Sequence, residues 1–216
     1  MKEKSSSAVG IIGGADGPTS VLVVSKTGKL PCNIRIINRI YKWKSKKAGK
    51  RIIAGTHTLE EVVFYADEKY RLTEVAETER KYVEQRKYLK ESLISRHKPE
   101  LLGELAEIIR PKDHTPESVK ALQDQFKVRR ERAEGVSEEQ MPMDFHIYEI
   151  SLGDGRLEME IDYHWNVFGI SYSGSEKTMK RMKEVAKDLY LYYGVSEEDI
   201  RHKSERYHSL LATLSV

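Results

Sequence analysis

The chain of 216 residues holds a single cysteine, Cys32, so no disulfide can form within it. That fits a reducing compartment, and cytoplasm is the expected location. Apolar runs are short. A spanning helix needs ~20 mostly apolar residues, whereas Val21 to Val24 is typical of the longest runs here, so no transmembrane segment is expected. Lys2, Glu3 and Lys4 precede an apolar stretch that glycines and Asp16 interrupt, a poor signal-peptide core. Lys plus Arg number 37 against 34 Asp plus Glu, and a net charge of +3 is too small to imply that the whole molecule binds nucleic acid. Internal repeats and low-complexity tracts are missing. So are the usual catalytic signatures. The seven histidines show no H-E-x-x-H spacing, and His202 and His208 stand six apart. Ser20 and Ser173 have no evident His-Asp partners, and Cys32, beside Pro31, has no assignable base. Nothing argues for covalent catalysis, and a binding protein is expected rather than an enzyme.

What is present begins with VGIIGGADGPTSVLVVSK at residues 9 to 26, where glycines, Asp16 and Pro18 lie between two β-branched runs. Gly10, Gly13, Gly14 and Gly17 let backbone amides turn inward unobstructed by a Cβ, as in anion nests. The Gly-Lys-Ser/Thr ending of a P-loop and the G-x-G-x-x-G spacing are both absent. Asp16 with Thr19 and Ser20 offers a carboxylate and two hydroxyls, the oxygen ligands that sodium, calcium or magnesium prefer. A glycine-rich turn between two strands is the competing reading of the same spacing. The ligand set under the first reading is Gly13, Gly14, Asp16, Gly17, Thr19 and Ser20, with sodium or a divalent cation bound.

Residues Gly10 to Ser20, GIIGGADGPTS, closely resemble a hallmark segment of the β subunit of sodium ion-translocating decarboxylases of the oxaloacetate, glutaconyl-CoA and methylmalonyl-CoA type. In that family the aspartate matching Asp16 lies in the membrane and is implicated in coupling ion movement to decarboxylation of carboxybiotin. The resemblance implies an ancestral ion or polar-ligand loop, and a protein partner or a decarboxylase complex as the associate. It spans about residues 8 to 25. The family's hydrophobic spans have no counterpart here, and a pump needs a closed route through lipid. This chain is therefore expected not to pump sodium by itself, but to bind an ion, ligand or partner, or to serve as an accessory subunit or remnant acting at the membrane.

Pro31 to Arg51 carries Arg35, Arg39, Lys42, Lys44, Lys46, Lys47, Lys50 and Arg51 with no acidic residue. Ile36, Ile37, Ile40, Tyr41 and Trp43 recur among them at roughly helical spacing, which predicts an amphipathic helix fraying near Gly49. Lys44, Lys46, Lys47 and Lys50 could meet phosphates of nucleic acid or of an anionic membrane surface. An ordinary solvated face, balanced by Glu60, Glu61, Asp67 and Glu68, is the alternative.

The Thr58 and Glu61 pair predicts a capping box opening a long helix, uninterrupted by Gly or Pro to Lys98. Pro99 should start a short helix burying Leu101, Leu102 and Leu105, and Thr115-Pro116 another with Val119, Leu122, Phe126 and Ala133 on one face, ending at Gly135. Residues 135 to 143 read as a linker. From Phe145 the period becomes two: Leu157, Met159, Ile161 and Tyr163 alternate with Arg156, Glu158, Glu160 and Asp162, a strand buried on one face with an acidic comb on its wet side. Glycines 153 and 155 suit a hairpin, Val167 to Tyr172 a third strand, and Ser175 and Ser196 the caps of two final helices. Tyr190, Tyr192, Tyr193 and Tyr207 read as core and rim aromatics. The expected fold is α+β, a small antiparallel meander packed on several helices with N-terminal strands added. The expected segments are a glycine-rich β part (1–30), a helical region (31–134), and meander plus C-terminal helices (135–216) forming one compact domain with 1–30.

Overall fold

The computed structural model describes residues 9–14, 17–23, 32–108 and 115–215, with side chains described from residue 39 onward. The fold is α+β. Its elements are β1 (Val9–Gly14), β2 (Gly17–Val23), α1 (Cys32–Gly49), β3 (Gly55–Thr56), α2 (Leu59–Tyr70), β4 (Thr73–Glu74) and α3 (Arg80–His97). A 3₁₀ segment, Pro99–Ala106, is followed by α4 (Pro116–Glu134), β5 (Phe145–Leu152), β6 (Gly155–Asp162), β7 (Val167–Ser173), α5 (Glu176–Tyr193), β8 (Gly194–Val195), α6 (Glu197–His202) and α7 (Glu205–Ser215). The meander has the strand order β4-β5-β6-β7, and its β5–β6 hairpin turns at Gly153, whose φ of 64° lies in the left-handed region that glycine tolerates. The chain divides into two compact units, one of Met1–Thr73, Glu149–Met159 and Phe168–Val216, the other of Glu74–Tyr148 and Glu160–Val167.

In the first unit, β1 and β2 pair antiparallel in a sheet of their own. They do not join the meander, contrary to the expectation that N-terminal strands are added to it; the strand on the outer side of β5 is the two-residue β4. The physical reason is a local one: β1 and β2 stand two residues apart in sequence, and such neighbours pair at far smaller loop-closure cost than strands more than a hundred residues apart. Helix α1 packs on α7, with Gly49 against Tyr207 and Leu211. Val195, Tyr207 and Leu210 form a core cluster there, joined by Ile52, Tyr190, Ile200, Leu211 and Leu214. Helix α2 rests on α5 and buries Leu59, Val62 and Ala66.

The capping box forms as expected, Glu61 N donating to Thr58 Oγ1 at 3.3 Å and Thr58 N to Glu61 Oε2 at 2.8 Å. The long helix after it does not. Arg71 takes φ 61°, its N–H bonds to Asp67 O, and Asp67 Oδ1 accepts from Leu72 N at 3.0 Å, which stops α2 without glycine or proline. An aspartate that satisfies the amide beyond the helix end offsets the strain of a left-handed arginine. The C-terminal helix is split in the same manner. Lys203 is left-handed at φ 53°, while Ser204 donates to Asp199 Oδ1 at 2.6 Å and accepts from Tyr207 N at 3.3 Å, capping α7.

In the second unit, α3 packs on α4 and on the 3₁₀ segment, which kinks at Gly103 and buries Leu102. Thr115 caps α4 by accepting from Ser118 N at 3.2 Å. Of the expected α4 face, Ala133 is buried whereas Val119 and Phe126 are exposed, because the neighbours reach mainly the C-terminal half through charged contacts: Glu91 of α3 pairs with Arg129 at 3.2 Å and Arg130 at 3.3 Å. Residues 135–143 are no simple linker. Val136 and Met141 are buried, and Lys90 Nζ, itself buried, donates to Val136 O at 2.6 Å.

Candidate functional site

The glycine-rich stretch is positioned by the β1–β2 register, Ile12 opposite Ser20 and Gly14 opposite Gly17, with an irregularity between Ile12 and Gly14. Gly13 and Gly14 are thus residues of β1, and Gly17, Thr19 and Ser20 residues of β2. Asp16 lies outside the described residues. The backbone arrangement on either side of it is that of a hairpin, whose strand amides serve the ladder.

Helix α1 carries the other predicted site. Ala48 is buried, and Ser45 and Gly49 are half-buried on the side that meets α7. At ~3.6 residues per turn, Trp43, Lys47 and Lys50 fall on the opposite side, flanked by Arg39 and Lys46 on one edge and Ile40 and Lys44 on the other. All of these are exposed, Trp43 by 63% and Ile40 by 50%. Lys47 Nζ stands 5.4 Å from the Trp43 ring centroid, so the indole sits within a field of ammonium groups. No acidic side chain belongs to the helix. An outward face with an aromatic and an isoleucine set among four lysines and an arginine combines two kinds of affinity: Coulombic attraction for anions and an apolar group that gains by leaving water.

The acidic comb of β6 is not a wet face. Asp162 is fully buried and accepts from Trp165 N at 2.8 Å and Asp144 N at 3.2 Å. Burial pushes its carboxyl above the ordinary range, against the pull of those two amides. Glu158 is 9% exposed and takes Arg156 at 2.9 Å, and Glu160 accepts from Gln85 at 3.1 Å. The comb serves turn and sheet. Among the described residues no group of three or more His, Cys, Asp or Glu side chains could hold a metal ion.

Two polar clusters went unread in the sequence. In the second unit, His146 Nδ1 lies 2.6 Å from Glu74 Oε1 and Nε2 lies 3.1 Å from Asp144 Oδ1, with Tyr163 edge-on to the ring. Burial acts most strongly on this imidazole and disfavours its charge, but the two carboxylates outweigh it and raise the pKa. When protonated, the ring can donate from both nitrogens to these two carboxylates and acts as a charged pin. It borders a cleft of about 440 Å³ lined also by Tyr82, Arg86, Lys87 and Asp144. Arg86 is paired with Glu138 at 2.8 Å and Lys87 with Glu134 at 3.0 Å, so these cations are committed to structural partners. Asp144, just before β5, and His146 within it were the available signal; Glu74 comes from too far along the chain to be inferred.

In the first unit, Asp188 Oδ2 accepts from Tyr65 at 2.9 Å, from Tyr70 at 2.8 Å and from Lys69 at 2.8 Å. Burial, the largest effect on Asp188, raises its pKa, yet the three donors together leave it lowered. Burial and then the bond to Asp188 push the Tyr70 hydroxyl up to about 12. Tyr192 stacks between Tyr65 at 4.0 Å and His57 at 3.9 Å. This cluster ties α2 to α5.

Among the described residues no helix is long and apolar enough to cross a membrane. Compared with known proteins, the chain matches no family model, no curated protein and no solved structure.

Proposed function

We propose that the chain is a peripheral binding protein that docks on an anionic lipid surface through the outward face of α1. The observation that carries this reading is the position of Trp43 and Ile40. The phosphates of a duplex are met by cations alone, whereas an exposed indole and isoleucine set among Arg39, Lys44, Lys46, Lys47 and Lys50 suit the boundary between headgroups and acyl chains. Each lysine near such a surface contributes about 1 kcal/mol, so four contribute about 4 kcal/mol, or roughly a thousandfold in partitioning at moderate salt. The hairpin around Asp16, by its resemblance to the decarboxylase segment, is the element offered to an ion or to a membrane-embedded partner once the protein is held at the surface.

Co-sedimentation of the full chain with vesicles tests the reading. Phosphatidylserine-containing vesicles should retain it and pure phosphatidylcholine vesicles should not, with retention falling as salt rises. Lys44, Lys46, Lys47 and Lys50 changed together to Ala should abolish retention while the circular dichroism spectrum is kept. Equal retention by neutral and anionic vesicles, or undiminished binding of the quadruple variant, would overturn it.

A further inference from the structure

Helix α2 has an outward face of the opposite charge. Its buried residues Leu59, Val62 and Ala66 define the side turned to the core. On the other side, Phe64 is 69% exposed, and Glu60, Glu61, Asp67 and Glu68, all exposed, surround it at helical spacing. Lys69 does not neutralise this rim, because it reaches the other way to Asp188 and Tyr65. Arg71 lies just past the helix end. Both helices belong to the first unit. Each presents an aromatic side chain at the centre of a charged ring, basic on α1 and acidic on α2.

We infer that the α2 face is a docking surface for α1 of a second copy of this chain. Charge complementarity selects the occupant: the basic, tryptophan-centred face of α1 matches in sign and in kind what the acidic, phenylalanine-centred face of α2 requires. Aromatic groups at the middle of a contact, ringed by polar side chains that exclude water, are the usual arrangement of energetically important residues. Phe64 and Trp43 would be shielded together, and the acidic rim would meet Arg39, Lys46, Lys47 and Lys50. One helix face buries less area than the ~1,200–2,000 Å² of a stable complex. The association is therefore weak, reversible and salt-sensitive. The same α1 face serves lipid in the proposed function, so anionic vesicles compete with self-association. The inference does not rest on that reading, since it is measured without lipid.

The experiment is sedimentation velocity of the full chain over a concentration series, at low and high sodium chloride. Wild type should associate as concentration rises, with an association constant ~tenfold or more weaker at high salt. Variant one carries Glu60→Lys and Glu68→Lys, leaving the capping residue Glu61 and the helix-ending Asp67 in place. Variant two carries Lys46→Glu, Lys47→Glu and Lys50→Glu. Each alone should remain monomeric with an unchanged circular dichroism spectrum. An equimolar mixture should associate, because the unaltered basic α1 of the first then meets the unaltered acidic α2 of the second. A wild type that stays monomeric at low salt up to its solubility limit overturns the inference. So does association of either variant alone at wild-type strength, or a mixture that stays monomeric.

Discussion

Arg206 offers the sharpest test of how the first unit is held together. Its Nε donates to Gly194 O at 2.8 Å, and Nη2 donates to His57 O at 3.0 Å and to Tyr193 O. The guanidinium also lies 3.5 Å over the Tyr193 ring. These bonds fasten α7 to the β3–β8 pair, where Gly194 approaches Gly55 so closely that a Cβ on it would lie 1.9 Å from Gly55 O. A hydrogen bond from a charged group contributes about 1.5 kcal/mol at the low end, and a stacked cation about 0.5–1 kcal/mol. Arg206 is only partly buried, so water can take over some of the carbonyls, and Arg206→Met is expected to cost about 3 kcal/mol after that discount. For a chain of this length the melting temperature should fall by ~6–12 °C. Arg206→Lys keeps the charge but not the fork, and should lose about half as much. Thermal unfolding followed by circular dichroism measures both. A melting temperature within about a degree of wild type for Arg206→Met would refute the reasoning, by showing that water serves the three carbonyls equally well.

Two further outcomes follow from the second unit. Ile161 is fully buried, and Ile161→Asp places an unpaired carboxylate among apolar groups, a loss of about 4 kcal/mol or more that urea denaturation should report; an unchanged midpoint would mean that the face assignment of β6 is inverted. The raised pKa of His146 in the folded chain means that its bonds to Glu74 and Asp144 contribute fully below the unfolded value of about 6.5 and are lost as pH rises through the folded value. Urea midpoints should accordingly fall with rising pH across that interval in wild type and fall less in His146→Gln; parallel profiles would remove the charged pin from the account.

The local signals were legible where a single short-range rule decides the structure. Thr58 with Glu61, Thr115-Pro116 and the turn glycine at 153 all sit where capping and turn chemistry put them. The alternation of Leu157, Met159 and Ile161 correctly gave the buried face of β6. What escaped depends on contacts distant in sequence. Alternation of charge at Glu158, Glu160 and Asp162 looked like a solvated face, yet Asp162 is enclosed because the chain at Asp144 returns to use its oxygen. Breaks at Arg71 and Lys203 were invisible because neither is a helix breaker; Asp67 and Asp199, each capturing an amide or hydroxyl beyond the helix end, make them. For the basic helix, composition gave the lysines, but which side faces outward depends on α7, and that side decides that Trp43 and Lys47 present themselves together.

Trp43 emission tests the central claim most directly. Its indole is 63% exposed in the free protein, and the difference spectrum between wild type and Trp43→Phe isolates it from Trp165. On titration with phosphatidylserine-containing vesicles, the difference spectrum should shift to shorter wavelength and become protected from aqueous quencher, as an indole does on passing from water to the acyl boundary. Duplex DNA at equal phosphate should leave it unshifted. An indole that stays water-exposed on anionic vesicles, or that shifts as much on DNA, would contradict the assignment of α1 to a lipid surface.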